Sequence, residues 1–158
     1  EAHLDMVREG IMLYGLYPDS ASQPGGPLRP VLTLKSRVAQ VRELPAGSSV
    51  SYGRTYISEQ PIRTAVIAAG YADGHPRRLS NQGYDTIGGK AYKQIGRICM
   101  DMHMVDITGD DIIRPGDEVI LWGGSGMSAE EVSQIVGTIN YELTCLVTRR
   151  VTRLYINE

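Results

Sequence analysis

Five short segments carry the residues that could do chemistry. In Val50-Ser51-Tyr52-Gly53-Arg54 a phenol sits between a small hydroxyl residue and a glycine, just after the turn signal Pro45-Ala46-Gly47. That setting suits a loop or strand end, where a phenol can transfer a proton, although most tyrosines serve as apolar bodies with one polar tip. Arg8-Glu9-Gly10-Ile11 joins a guanidinium fork to a glycine turn whose backbone N–H groups suit an anion. Gly70-Tyr71-Ala72-Asp73-Gly74-His75-Pro76-Arg77-Arg78 follows an apolar run, and its two arginines either hold a carboxylate or are solvated. Gly96-Arg97-Ile98-Cys99-Met100-Asp101 puts a carboxylate between apolar strands, where it needs a partner if buried; Arg97 is the expected one. Tyr141, in Asn140-Tyr141-Glu142, either reaches an anion or packs.

Other chemistries find little support. Cys99 and Cys145 match no zinc or haem spacing and are expected to be reduced, buried thiols. His3, His75 and His103 form no metal-spaced set, so no metal site is expected. Trp122-Gly123-Gly124-Ser125-Gly126 lacks the Lys-Ser/Thr ending of a phosphate loop. A formal charge of -2, without a basic run, gives no reason to expect nucleic acid or an anionic membrane. No segment approaches the length of a membrane span. The start, Glu1-Ala2-His3-Leu4-Asp5, lacks an initiator methionine and a signal pattern, and leads to the expectation of a piece of a longer chain.

The elements that must position these residues follow from periodicity. Met6 to Leu16 reads as a buried strand, tight turn and helix start. Residues 18–30, rich in Pro, Gly and Ser, read as a linker. Residues 31–44 then alternate with period two as one long strand, and Ile62 to Ala69, apolar on both faces, reads as a central one. Short strands are expected at Tyr84–Ile87, Ala91–Ile95, His103–Ile107 and Glu118–Trp122, with a closing strand at Val151–Ile156. Ser128 and Glu131 form a capping box for a short amphipathic helix, and Ile139 to Val147 is a second helix. About seven strands and two or three short helices make a mainly β domain, most economically a barrel or curved sandwich.

Taken in order, Asp5-Met6-Val7-Arg8-Glu9-Gly10-Ile11, Ser51-Tyr52-Gly53, Gly70-Tyr71-Ala72-Asp73-Gly74, Gly96-Arg97-Ile98-Cys99-Met100-Asp101 and Gly137-Thr138-Ile139-Asn140-Tyr141-Glu142 resemble the C-terminal part of alanine racemase, a fold-type III pyridoxal 5'-phosphate enzyme. The resemblance implies that residues 1–17 end an N-terminal α/β (TIM-type) barrel and that residues 31–158 form the C-terminal β domain of a head-to-tail homodimer. It makes Tyr52 the base on the L-face of the substrate, and brings Tyr71 and Met100 toward the partner's substrate and cofactor. Arg8 would bond the pyridine nitrogen, and the Gly10 and Ile11 backbone with the Tyr141 hydroxyl would hold the phosphate. Arg97, Asp101 and Ile139 would line the substrate entryway. The implied protein is bacterial and cytoplasmic, and supplies D-alanine for peptidoglycan.

Racemisation needs one base on each face, so that a proton leaves one side and returns on the other. The bound cofactor makes this feasible because its ring takes up the carbanion charge. Tyrosine titrates near 10, so a tyrosine base needs positive neighbours that favour the phenolate. Two departures stand out. The lysine that anchors the cofactor belongs to the start of the family's barrel, and Lys35, Lys90 and Lys93 do not match it, so the isolated chain is expected to be inactive. Glu9 stands where many relatives carry proline or an apolar residue. Serine racemases of the vancomycin-resistance type resemble the same domain but tend to carry asparagine at the position of Tyr141, which favours alanine. A non-catalytic dimerisation module is the remaining alternative.

Overall fold

The computed structural model describes residues 5–19 and 26–156, so part of the expected linker lies outside the described residues. The chain divides into two compact units, Glu1–Leu32 and Thr33–Glu158.

In the first unit a 3-10 helix spans Gly10–Tyr14 and ends at Gly15, whose N–H returns to the Met12 carbonyl. Val31 N–H donates to the Tyr14 carbonyl at 3.1 Å. Leu28 N–H donates to the Tyr17 hydroxyl, which in turn donates to the Gly26 carbonyl. Only part of the expected buried element is buried. Ile11 and Leu16 are, whereas Met6 and Val7 are exposed. No strand precedes the turn among the described residues.

The second unit is built on β1 (Leu34–Leu44), the longest strand. Its first half pairs with β8 (Glu118–Trp122) and its second half with β4 (Ile62–Ile67). A register shift between Val38 and Gln40 marks the change of partner. Bulges of this kind bend a strand and let one strand turn a barrel corner. With β5 (Tyr84–Ile87), β6 (Lys90–Ile95) and β7 (His103–Asp106), the sheet closes in the order β1-β4-β7-β6-β5-β8, every pairing antiparallel. The expected mainly β barrel is therefore what forms.

The core side chains include Val38, Ala65, Ile67, Ile95, Val105, Val119, Leu121 and Trp122, all nearly inaccessible. Two short helices follow. In α1 (Ala129–Val136) the Ser128 hydroxyl accepts from Glu131 N–H while the Glu131 carboxylate accepts from Ser128 N–H, as the sequence pattern predicts. Its buried face is Ala129, Val132, Ser133 and Val136, and α2 (Asn140–Leu146) comes next.

Three expectations need correction. Val151–Ile156 forms no strand, because β8 pairing with β1 already closes the barrel and leaves no edge for another strand. A two-stranded hairpin, β2 (Ser49–Val50) with β3 (Tyr56–Ile57), was not anticipated as a pair. The thiols are free but not buried: Cys99 is half-buried and Cys145 exposed. No described helix is long and apolar enough to cross a membrane.

Candidate active site

The β2–β3 hairpin presents Tyr52. Val50 anchors it from below, packing with Ile62 and Ile95 in a buried cluster that Leu44, Tyr56 and Met104 cover. The turn above is strained. Ser51 has φ 63 and ψ -176, Gly53 has φ 72 and Arg54 has φ 49. The Ser51 conformation lies in a region that only glycine visits freely, at a cost of about 1–3 kcal/mol. It persists because the Ser51 hydroxyl donates to the Arg97 carbonyl at 2.6 Å and lies 3.4 Å from Cys99 Sγ. The result is a phenol held 73% exposed on a well-tied turn. The Arg97 guanidinium passes beside this turn, with Nε 3.6 Å from where a Cβ on Gly53 would stand.

Tyr71 lies on the loop that leaves β4. Tyr71 N–H donates to the Cys99 carbonyl and Ala72 N–H to the Met100 carbonyl, both at 3.0 Å. The approach is so close that a Cβ on Gly70 would sit 2.2 Å from the Cys99 oxygen, so only glycine fits. Asp73 accepts from Gly70 N–H and closes the loop on itself. Further ties run from the Gly96 N–H to Asn81 and from the Ile98 N–H to Ser80. The segments carrying Tyr52, Tyr71, and Arg97 to Asp101 thus form one stitched surface.

Asp101 is exposed, and its partner is not Arg97. Arg150 reaches Asp101 at 2.6 Å and Asp73 at 2.7 Å, bridging the two loops. Those two carboxylates hold the Arg150 guanidinium above its ordinary range. Arg150 was missed because nothing in its local sequence, Thr148-Arg149-Arg150-Val151, marks which arginine turns inward.

A shallow cavity of about 400 Å³ brings Tyr71, Arg77 and Arg78 to the same opening as Gly137, Thr138 and Glu142. Arg78 also donates to the Val136 carbonyl at the end of α1, so it is held rather than solvated. Ile139, just before α2, is 60% exposed, and Tyr141 in its first turn is partly exposed with its hydroxyl unbonded among the described residues. In the other unit, Arg8 and Gly10 are exposed, Ile11 is buried, and Glu9 places no side-chain cap on the turn.

The family model described as "Alanine racemase, C-terminal domain" matches residues 31–155. The chain belongs to that family. An alanine racemase of Chlorobaculum tepidum is 49% identical over 156 residues, covering 99% of this chain and 41% of that protein. The solved alanine racemase of Streptomyces coelicolor has a TM-score of 0.90 at 40% identity, over 99% of this chain and 42% of that one. That of Bartonella henselae, described as carrying covalently bound pyridoxal phosphate, has a TM-score of 0.87 at 37% identity, over 96% of this chain and 42% of its own. This alanine racemase domain therefore spans about two fifths of the length of the relatives it matches.

Proposed function

We propose that the chain is the C-terminal part of a pyridoxal-phosphate-dependent alanine racemase, with Tyr52 the base on the L-face of the substrate. The observation that carries this reading is the strained Tyr52 turn: an exposed phenol on a backbone that costs stability and is tied down by a dedicated serine hydroxyl. A structural tyrosine needs neither the strain nor the exposure. Residues 1–17 would end an α/β barrel, and residues 31–158 would form the β domain.

The donors suit a phosphorylated pyridine. On the family resemblance, exposed Arg8 is the donor to the ring nitrogen and the Gly10 and Ile11 backbone a donor to the phosphate. The Tyr141 hydroxyl, in the other unit, has no hydrogen-bond partner among the described residues and is read by the same resemblance as a phosphate donor. When bound, the cofactor stabilises the carbanion that α-proton removal creates. Tyr52 takes the proton from the L-face or returns it there. Tyr71 and Met100 approach the partner's substrate, and Arg97, Asp101 and Ile139 line its route in. The many exposed apolar side chains here, Tyr52, Tyr71, Met100, Met102 and Ile139, suit a surface completed by a second subunit in a head-to-tail dimer. Its product would supply D-alanine for peptidoglycan in the cytoplasm.

The test joins the chain to a family barrel bearing the cofactor lysine. Tyr52→Phe should slow α-proton exchange from L-alanine by about 10²–10⁴-fold, the usual loss for a general base. Cofactor absorbance should persist. Near-normal turnover of L-alanine would overturn the assignment.

A further inference from the structure

The barrel interior holds a group of titratable side chains that this chemistry does not use. Asp85 on β5, Gln94 on β6, His103 on β7 and His75 from the loop after β4 are all buried. His103 Nε2 lies 2.5 Å from Asp85 Oδ2, and its Nδ1 lies 2.7 Å from the Ala69 carbonyl. Both facing atoms are acceptors, so both ring nitrogens donate. Gln94 Nε2 donates to Asp85 Oδ1 and to His75 Nε2, each at 2.8 Å. The His75 ring therefore carries its proton on Nδ1, and it stacks on His103 with centroids 4.6 Å apart.

Charge runs the same way as geometry. Burial opposes a charge on His103, but the Asp85 carboxylate outweighs it and holds the imidazole above its ordinary range. Burial and the neighbouring His103 push His75 down to about 3. Burial also opposes ionisation of Asp85, yet His103 holds that carboxyl below its ordinary range. The titratable group acting on His103 is Asp85 from β5, and His103 in turn acts on His75, which stacks on it from the loop.

The network touches the polypeptide at two informative places. Ala69 and His75 bracket the loop that carries Tyr71, and the network grips both: His103 holds the Ala69 carbonyl and Gln94 holds the His75 ring. Between them Gly70 accepts from the N–H groups of Asp73 and His75. We infer that Asp85, His103, Gln94 and His75 form a buried latch that fixes both ends of the Tyr71 loop, with His103 a positioning residue rather than a catalytic one. The part of this claim that concerns substrate rests on the racemase reading, whereas the latch itself does not.

Amide exchange on the 158-residue chain tests it. Asp85→Asn preserves volume but removes the charge that holds both protons on His103. The N–H groups of Tyr71 and Ala72 should then exchange at least tenfold faster, while those of the β1–β4 ladder change less than threefold. A uniform acceleration means a merely structural core pair and overturns the latch, as does no change. Should that variant fail to fold, nitrogen-15 histidine spectra of the unmodified chain at pH 7 decide. Two ring protons on His103 and one on His75 are expected; one on His103 would overturn the latch. So would stoichiometric zinc in the dialysed chain, since the ligand atoms of His75, Asp85 and His103 lie within 4.8 Å of one another. In the assembled racemase, Asp85→Asn should lower kcat/KM for alanine about tenfold with cofactor absorbance unchanged. Faster loop exchange without racemase activity in any assembly would sink the functional reading alone. Slower turnover with unchanged loop exchange would sink the latch alone.

Discussion

The two polar regions of this domain obey opposite rules. On the rim, Tyr52, Tyr71, Met100 and Ile139 are large and exposed, and Arg150 spans Asp73 and Asp101 in solvent. In the barrel, Asp85, Gln94, His75 and His103 are small in number, fully buried and bonded mainly to one another. A buried charge is costly without a partner and the loss of one member strands the other, whereas an exposed one loses little. The interior group therefore supports the fold and the loop, and the rim is available for chemistry.

The sharpest way to break that contrast is to strand a buried charge. Asp85→Ala should lower unfolding free energy by about 3–5 kcal/mol, as removing one partner of a buried pair does. Tyr52→Ala, at an exposed position, should change it by no more than about 0.5 kcal/mol. Urea denaturation of both variants checks this. Equal losses would erase the distinction between the regions.

The same contrast explains what was legible in the sequence. Alternation located β1, apolar runs located β4 and β8, and the Ser128–Glu131 box located α1, because those signals are local. The rim segments were legible as motifs for the same reason. The latch was not, because its members come from three strands and a loop and meet only once the barrel closes. The signal that was present is polar residues at inward positions of strands, Asp85 beside Thr86 and Ile87, and Gln94 before Ile95. Dismissing His75 and His103 for lack of metal spacing overlooked that distant histidines can meet without an ion. Val151–Ile156 misled for the converse reason: a strand-like pattern forms no strand when no edge awaits it.

A smaller effect, spread over pH, sharpens the comparison further. His75, lowered to about 3, stays neutral in the folded state while the unfolded chain gains a proton below about 6.5. Stability should therefore fall as pH drops from 6.5 toward 3, by up to about 1.4 kcal/mol per pH unit. His103 is raised, so its contribution is complete below 6.5 and fades as pH rises through its folded value. The latch thus imposes a stability maximum near pH 6.5. Denaturation between pH 4 and 9 should show it, and His75→Phe should flatten the acid limb alone. An unchanged acid limb in that variant would contradict the neutral burial of His75.

The weakest expected effect belongs to Arg150. Its side chain is half exposed, so both ion pairs are screened, and Arg150→Met should cost about 1 kcal/mol or less. The loss should shrink further in 0.5 M salt, where charges more than a few ångströms apart no longer feel each other. Arg150 nevertheless ties the loop of Tyr71 to the loop of Met100 from the solvent side, as His103 does from within. On the proposed racemase reading, Arg150→Met in the chain joined to a family barrel should therefore raise KM for alanine while leaving the melting temperature nearly fixed. If KM holds and stability alone falls, Arg150 belongs with the interior rather than with the rim.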